Sequence, residues 1–189
     1  MPTRRLAHVL GADRHEALSR DFAAALHTIE HGFKAVSVPK AFCAVPRSTS
    51  LRKEYRRKVR TITRGMQTLW HKKPLLNPLT YGVHAWMLWS HKVARWTLPW
   101  AALAALFAMA VLAPIHSLAA VVLAGSLVLL LVAALGWILS ERHDVPRVLS
   151  IPAFLVAGNL AAMHAVVRAL SGDRDPTWEP TRRERVSTD

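Results

Sequence analysis

Charged residues are missing from one long stretch of the chain. Residues 97–140 hold 44 consecutive positions without Asp, Glu, Lys or Arg. A helix that crosses a bilayer needs about 20 apolar residues. The stretch therefore predicts two membrane spans, at 97–113 and 117–139, with Pro114 in the break between them. A further uncharged run at 148–167 predicts a third span. The alternative, a buried helical hairpin of a soluble protein, would need a much larger protein to cover it.

Residues 51–70 have the spacing of a long amphipathic helix, and Ser48, Thr49 and Ser50 before it are candidate helix caps. Its apolar stripe consists of Leu51, Tyr55, Val59, Ile62, Met66 and Leu69. A second stripe, three to four residues apart, is cationic: Lys53, Arg57, Arg60 and Arg64. The segment carries a net charge of +6, and neighbouring cations repel each other by a few tenths of a kcal/mol. This pattern favours an anionic ligand such as a diphosphate, lipid headgroups or nucleic acid, although a solvated surface is the simpler interpretation.

The segment upstream predicts a helix at 16–31 that ends at Gly32, followed by a short strand at 34–38. Asp21 lies in the early part of that helix, where acidic side chains are common on surfaces. His27 and His31 have the i, i+4 spacing of metal ligands. The sequence shows no third ligand beside them, so it predicts no metal site.

Residues 77–96 predict an interfacial helix directly before the first span. One face carries Trp86, Trp89, Val93, Trp96 and Trp100, and the other carries His84, Leu88, His91, Lys92 and Arg95. Tryptophan prefers headgroup depth, and cations there point toward phosphate or water. Trp86, Trp89, Lys92, Arg95 and Trp96 are therefore the candidate membrane-interface residues. The alternative is a soluble amphipathic helix packed on a core.

The charge distribution sets an orientation and excludes several classes of protein. Residues 1–96 carry the whole net charge of +13, so this region is predicted to be cytoplasmic. Three spans would place the basic tail outside, and a re-entrant third segment would resolve that conflict. A single cysteine, Cys43, excludes an internal disulfide and a multi-cysteine zinc site. The start has no apolar run of a secretory leader, and no helix-turn-helix or zinc pattern supports nucleic-acid binding.

Four stretches, in this order, resemble the C-terminal half of bacterial membrane-embedded family 2 glycosyltransferases. These are the processive β-glycan synthases, which make cellulose, chitin, hyaluronan or poly-N-acetylglucosamine. The stretches are SRDFAAAL to IEHGFKAV at 19–36, EYRRKVRTITRG at 54–65, LLNP to SHKVARW at 75–96 and WEPTR at 178–182. They look like the family's acidic motif with its helix and strand, its basic helix, its interfacial helix and a tail motif.

The resemblance implies an inverting transfer from a nucleotide-diphospho sugar to an acceptor hydroxyl. A carboxylate takes the hydroxyl proton, and by motif position this base is Asp21. Cations neutralise the leaving diphosphate, and by position these are Arg60 and Arg64, with Lys58 or Arg57 as further candidates. Of the family's acceptor motif Gln-x-x-Arg-Trp, only the arginine, Arg64, is present.

The donor-binding half of the family, with its Asp-x-Asp motif, does not precede the acidic motif. The implied partners are therefore the lipid bilayer and, only together with a missing N-terminal half or partner chain, a nucleotide sugar and a glycan acceptor. We expect this chain alone to be inactive and to hold no cofactor, whereas a complete enzyme would use Mg²⁺ or Mn²⁺.

The expected protein is mainly α-helical and multi-pass in the cell inner membrane. Residues 1–76 would be a partial catalytic region of the GT-A α/β type, made of a helix, a short strand and the basic helix. An interfacial helix at 77–96, about three spans within 97–170 and a polar tail at 171–189 would follow. The main alternative is a non-catalytic membrane protein whose basic helix binds anionic lipid or a partner protein. A nucleic-acid-binding membrane protein is a third.

Overall fold

A computed structural model describes residues 19–33, 50–140 and 145–172, and within these ranges the chain is mainly helical with no strand. The helices are α1 (Arg20–Glu30), α2 (Leu51–His71), α3 (Pro78–Leu88), α4 (Ala94–Leu112), α5 (Ser117–Leu139) and α6 (Arg147–Leu170). A 3-10 turn at Lys73–Leu76 precedes α3, and a π turn at Trp89–Val93 joins α3 to α4. The predicted strand at 34–38 and nearly all of the predicted tail lie outside the described residues, so the GT-A expectation stays a prediction.

Two predicted helix ends are confirmed together with their causes. Gly32 has a φ of +75°, which a glycine adopts without steric cost. Its amide donates to the Ile29 carbonyl at 3.0 Å, and the Phe33 amide donates to the Thr28 carbonyl at 3.0 Å. This pair of bonds closes α1 as a Schellman motif. At the start of α2, the Ser50 hydroxyl accepts a hydrogen bond from the Lys53 amide at 3.4 Å.

Among the described residues, three helices are long and apolar enough to cross a membrane. The second, α5, has the bounds predicted for it, 117–139. The first begins earlier than predicted, because α3, the π turn and α4 follow one another from Pro78 to Leu112 without a loop. This stretch is kinked at Gly82, whose φ of 48° and ψ of −120° are not helical. The third, α6, extends to both sides of the predicted 148–167. It also has the largest share of residues buried inside the protein, because α2 and α5 both pack on it.

The π turn changes which side chains share a face. A π turn contains one residue more than the corresponding α turn, so the helix after it is rotated relative to the helix before it. Trp86 and Trp89 are 70% and 46% exposed, whereas Trp96 packs against a buried cluster. Leu88, which a straight helix places on the polar face, is buried in that same cluster. The tryptophans therefore lie on more than one face.

Two apolar clusters hold the described part of the chain together. The first joins α1, α2 and the start of the interfacial stretch, with buried members Leu26, Leu69, Leu75 and Leu88. The second joins α2 to α6, with buried members Val59, Ala161 and Ala165, and Tyr55 and Ile62 beside them. The apolar stripe predicted for residues 51–70 thus divides between two neighbours, α6 and α1.

The α5–α6 pair depends on small side chains. A Cβ built on Gly136 would overlap the main-chain carbonyl oxygen of Leu149 and lie 3.1 Å from the Cβ of Ala153. The buried residues of α6 are all alanines: Ala153, Ala157, Ala161, Ala162 and Ala165. Small residues let the backbones of two helices approach closely.

Candidate functional site

Helix α2 carries the predicted phosphate-binding cations, and its position is set by contacts with α6. Val59 packs between the helices with Ala161 and Ala165. The Thr63 hydroxyl donates to the Ala165 carbonyl at 3.4 Å. The Tyr55 hydroxyl lies 3.1 Å from Nδ1 of His164, and burial raises the pKa of Tyr55. These contacts fix the rotation of α2 about its axis and so decide where each cation points.

Arg57 has a local counterion. Its Nε and Nη2 donate to the two carboxylate oxygens of Glu54 at 2.9 and 2.8 Å. These hydrogen bonds raise the pKa of Arg57 above its usual value. The Arg57 side chain is 60% exposed, so the pair is a surface ion pair of small net energy. An incoming anion would compete with Glu54 for this guanidinium.

Lys58 is turned away from the cationic stripe and toward α6. Its Nζ lies 3.6 Å from the centre of the Phe154 ring and 3.1 Å from where a Cβ on Gly158 would be. Burial lowers the pKa of Lys58, Glu54 opposes this, and the positive charges of Arg95 and Arg57 add to the lowering. An ammonium held over an aromatic ring is engaged in a cation–π contact. Lys58 is therefore less accessible to a phosphate than Arg57.

Arg60 and Arg64 are half-buried farther along α2. One hydrogen bond links the start of α1 to α2 one turn after Arg64. The Thr68 hydroxyl accepts from the Ser19 amide at 3.1 Å, and within α2 it donates to the Arg64 carbonyl at 2.7 Å. Asp21, two residues after Ser19, is exposed in the first turn of α1. The first turn of α1, which contains the predicted base, is thus held against α2 at Thr68.

The predicted interface residues divide into two groups. Trp86, Trp89 and Arg95 are exposed, although the indole of Trp89 donates to the Leu76 carbonyl at 3.0 Å. Lys92 places its Nζ 4.5 Å from the centre of the Phe22 ring. Trp96 faces inward, and its Cζ2 lies 3.5 Å from where a Cβ on Gly65 would be. Gly65, where the resembled motif has tryptophan, thus provides the surface on which Trp96 packs.

Sequence reasoning missed three partners of the site. Glu54 has an i, i+3 spacing to Arg57, a pattern that can be found in a sequence. Phe154 lies 96 positions after Lys58, and no local pattern joins them. Glu30 forms an ion pair of 2.7 Å with Lys72, 42 positions later. In the described ranges the carboxylates are Asp21, Glu30 and Glu54, and two of these already bind cations.

Comparisons with known proteins identify no relative of this chain. No family model, no curated protein and no solved structure matches the chain.

Proposed function

We propose that this chain is the membrane-bound, acceptor-side portion of an inverting glycosyltransferase that uses a nucleotide-diphospho sugar. The observation that carries the proposal is the hydrogen-bonded link from Ser19 through Thr68 to Arg64. It supports the proposal because it holds the first turn of α1, with its exposed carboxylate Asp21, against α2 at Thr68, one turn after Arg64. A general base close to anion-binding cations is what an inverting transfer of this kind requires.

The proposed roles follow the resemblance and the surroundings of each side chain. Asp21 accepts the proton of the acceptor hydroxyl. Arg60 and Arg64 neutralise the charge that develops on the leaving diphosphate, because a guanidinium can bind two phosphate oxygens at once. Arg57 exchanges Glu54 for the phosphate when the substrate binds. Lys58 lies against α6, and of these cations it is the one least expected to contact the diphosphate directly.

The donor sugar and its divalent metal belong to another part of the machinery in this proposal. Mg²⁺ and Mn²⁺ prefer several oxygen ligands. The described ranges offer Asp21, Glu30 and Glu54 on separate turns, and Glu30 and Glu54 are ion-paired. These residues do not fit a metal–diphosphate site, so no step through the metal is assigned to them. A donor-binding half with Asp-x-Asp would supply it.

The proposed membrane arrangement has α4 and α5 crossing the bilayer and α6 lying on the same side as α2. Helix α6 has 24 residues, so its midpoint falls near Gly158, beside which Lys58 places its ammonium. If α6 crossed the bilayer with its midpoint at the bilayer centre, the charges of Lys58 and of the exposed Arg56 and Arg57 would lie in or near the hydrocarbon core. Each such charge costs at least about 2.5 kcal/mol at the bilayer centre.

This arrangement also agrees with the positive charges in the predicted tail. With two spans, residues after 172 lie on the side of the basic front, where arginines are favoured. The apolar side chains that α6 exposes, among them Val148, Ile151 and Leu155, would rest in the lipid surface as in interfacial helices. The cationic face of α2 is then held at the cytoplasmic surface, where soluble nucleotide sugars are available.

The test is reconstitution with the donor-binding part. The chain is co-expressed with a polypeptide that carries an Asp-x-Asp donor domain, first the one encoded by the neighbouring upstream reading frame, and membranes are assayed with labelled nucleotide-diphospho sugars. Turnover should fall about 10²–10⁴-fold in Asp21→Asn, as expected for loss of a general base. The matched control is Glu30→Gln, an acid on the same helix, which should retain turnover. Full turnover in Asp21→Asn would overturn the assignment.

The cations are tested in the same assay. Arg64→Gln should lower kcat, because a leaving diphosphate loses a charge partner in the transition state. Lys53→Gln removes an exposed cation from the first turn of the same helix and should leave kcat unchanged. Equal effects of the two substitutions would mean that only the overall charge of α2 matters.

A second candidate function is binding of anionic lipid without catalysis. It is favoured by the exposed cations at the start of α2, namely Arg52, Lys53, Arg56 and Arg57, beside helices apolar enough for a bilayer. The full chain in nanodiscs should then retain anionic lipids over neutral ones, and added salt should weaken the preference. Under this function Arg56→Gln reduces lipid retention and Asp21→Asn changes nothing.

A further inference from the structure

The last turn of α1 brings together three side chains that can bind a transition metal. One ligand atom from each of His27, Glu30 and His31 lies within 4.8 Å of the others. Their spacing of i, i+3 and i+4 places them on one face of the helix. We propose that these three residues form a Zn²⁺ site with two nitrogen ligands and one oxygen ligand. It is independent of the proposed transferase function.

The distances are close to those that zinc needs. Zinc binds nitrogen and oxygen at about 2.0–2.2 Å, which makes neighbouring ligand atoms of a tetrahedral site about 3.3 Å apart. The present atoms would have to approach one another by no more than about 1.5 Å. Glu30 and His31 are exposed, so their side chains have room to rotate. Water would complete the coordination on the open side.

The orientation of His31 already suits a ligand. Its Nδ1 lies 2.9 Å from the main-chain carbonyl oxygen of His27. A carbonyl oxygen can only accept, so Nδ1 is the donor in this bond. Nε2 is then the nitrogen that faces a metal ion. Histidines that bind metals usually donate their other nitrogen in this way, which fixes the tautomer and the ring orientation.

Glu30 connects the proposed site to α2. Its Oε2 lies 2.7 Å from Nζ of Lys72 and 3.5 Å from Nδ1 of His27. The same carboxylate oxygen thus faces both the Lys72 ammonium and the imidazole of His27. A metal ion and the Lys72 ammonium would compete for the same carboxylate. This competition gives the proposal a signature that incidental histidine binding lacks.

The experiment titrates the full chain in detergent, with any purification tag removed, with Zn²⁺ against a chromogenic chelator. His31→Ala should weaken binding at least about tenfold, as is usual when part of a zinc site is lost. Lys72→Gln should tighten binding about two- to fivefold, because an ammonium no longer competes for Glu30. His91→Ala removes another exposed histidine and should change nothing. Circular dichroism checks that each variant keeps its helices.

Two results would overturn the site. One is Zn²⁺ affinity in His31→Ala equal to that of the unsubstituted chain, which would place the binding elsewhere. The other is Lys72→Gln with unchanged or weaker affinity, which would show that Glu30 is not a ligand. A second readout, the visible spectrum of bound Co²⁺, should report a nitrogen–oxygen site that disappears in His27→Ala.

Discussion

Lys58 on the basic helix α2 places its ammonium 3.6 Å from the centre of the Phe154 ring on α6. The lysine stem crosses the helix interface beside Gly158, where a larger residue would meet the ammonium. This contact joins a charged helix to an apolar one without an acidic partner. Lys58 is thus part of the interface between α2 and α6, and its ammonium group points away from the stripe of Arg57, Arg60 and Arg64.

The contact can be measured as a coupling energy. Lys58→Met keeps the long stem and removes the charge, and Phe154→Leu removes the aromatic face. We expect the two substitutions to be non-additive by about 0.5–1 kcal/mol, the size of a partly exposed cation–π pair. The measurement is a double-mutant cycle in detergent unfolding. Lys53→Met combined with Phe154→Leu is the matched control and should be additive. Additivity in the Lys58 cycle would mean that the ring and the ammonium do not interact.

Gly136 should tolerate no larger residue. Gly136→Ala places a Cβ against the Leu149 carbonyl, so either the α5–α6 pair separates or its backbone shifts. We expect a loss of about 1–3 kcal/mol in unfolding free energy, as for overpacked interiors. Gly125→Ala, on the same helix, meets nothing within 4 Å and should leave the melting temperature unchanged or slightly higher. Similar melting temperatures for both variants would contradict the close packing.

The ion pair of Glu30 with Lys72 should make stability depend on acid pH. Because Lys72 lowers the pKa of Glu30 in the folded chain, the pair stabilises above the unfolded carboxyl pKa of about 4.3. That contribution disappears as the pH falls through the lower folded value. Lys72→Gln should therefore cost about 0.2–1 kcal/mol at pH 7, and this cost should shrink as the pH falls through the lowered pKa of Glu30. Lys73→Gln, at an exposed neighbour, is the control. A difference that persists at low pH would have another source.

The side on which α6 ends can be determined by labelling. In a Cys43→Ser background, single cysteines are introduced by Lys53→Cys, Ile115→Cys and Ser171→Cys. An impermeant maleimide is applied to right-side-out and inverted vesicles. We expect Ser171→Cys to label with Lys53→Cys, and Ile115→Cys to label from the opposite side. Labelling of Ser171→Cys together with Ile115→Cys would show that α6 crosses the bilayer.

Local signals in the sequence predicted some helix ends but not others, since the helix predicted from 16 begins at Arg20, after an extended Ser19. Ser50 and Gly32 have side-chain or backbone chemistry that begins or ends a helix regardless of distant residues, and both predicted ends are confirmed. The uncharged run likewise predicted α5 because length and apolarity alone set a span. The distribution of the cations was harder, because residues 53, 57, 60 and 64 look equivalent on a helical projection. Lys58 already lies apart from them on that projection, next to the apolar stripe, but only the docking of α2 on α6 shows that its partner is Phe154.

The interfacial stretch shows why a regular period can mislead. A straight helix puts Trp86, Trp89 and Trp96 on one face, but the π turn between them contains an extra residue and rotates the later part. No residue type or spacing in the five residues WSHKV indicates a π turn. The Glu30–Lys72 pair was unpredictable for a different reason, since it depends on how α1 packs against α2. The assignment of Asp21 remains a prediction from the resemblance.

The hydrogen bond from Thr63 to Ala165 spans 102 positions, and this separation has a consequence for biosynthesis. The apolar side of α2 leaves the ribosome long before its partner helix exists. Until α6 has been synthesised, Val59 and its neighbours have no alanine surface to cover them. A chain truncated after residue 140 would keep both helices of the α4–α5 hairpin but expose that apolar stripe to water, and it should be recognised by chaperones and proteases as an unfinished protein.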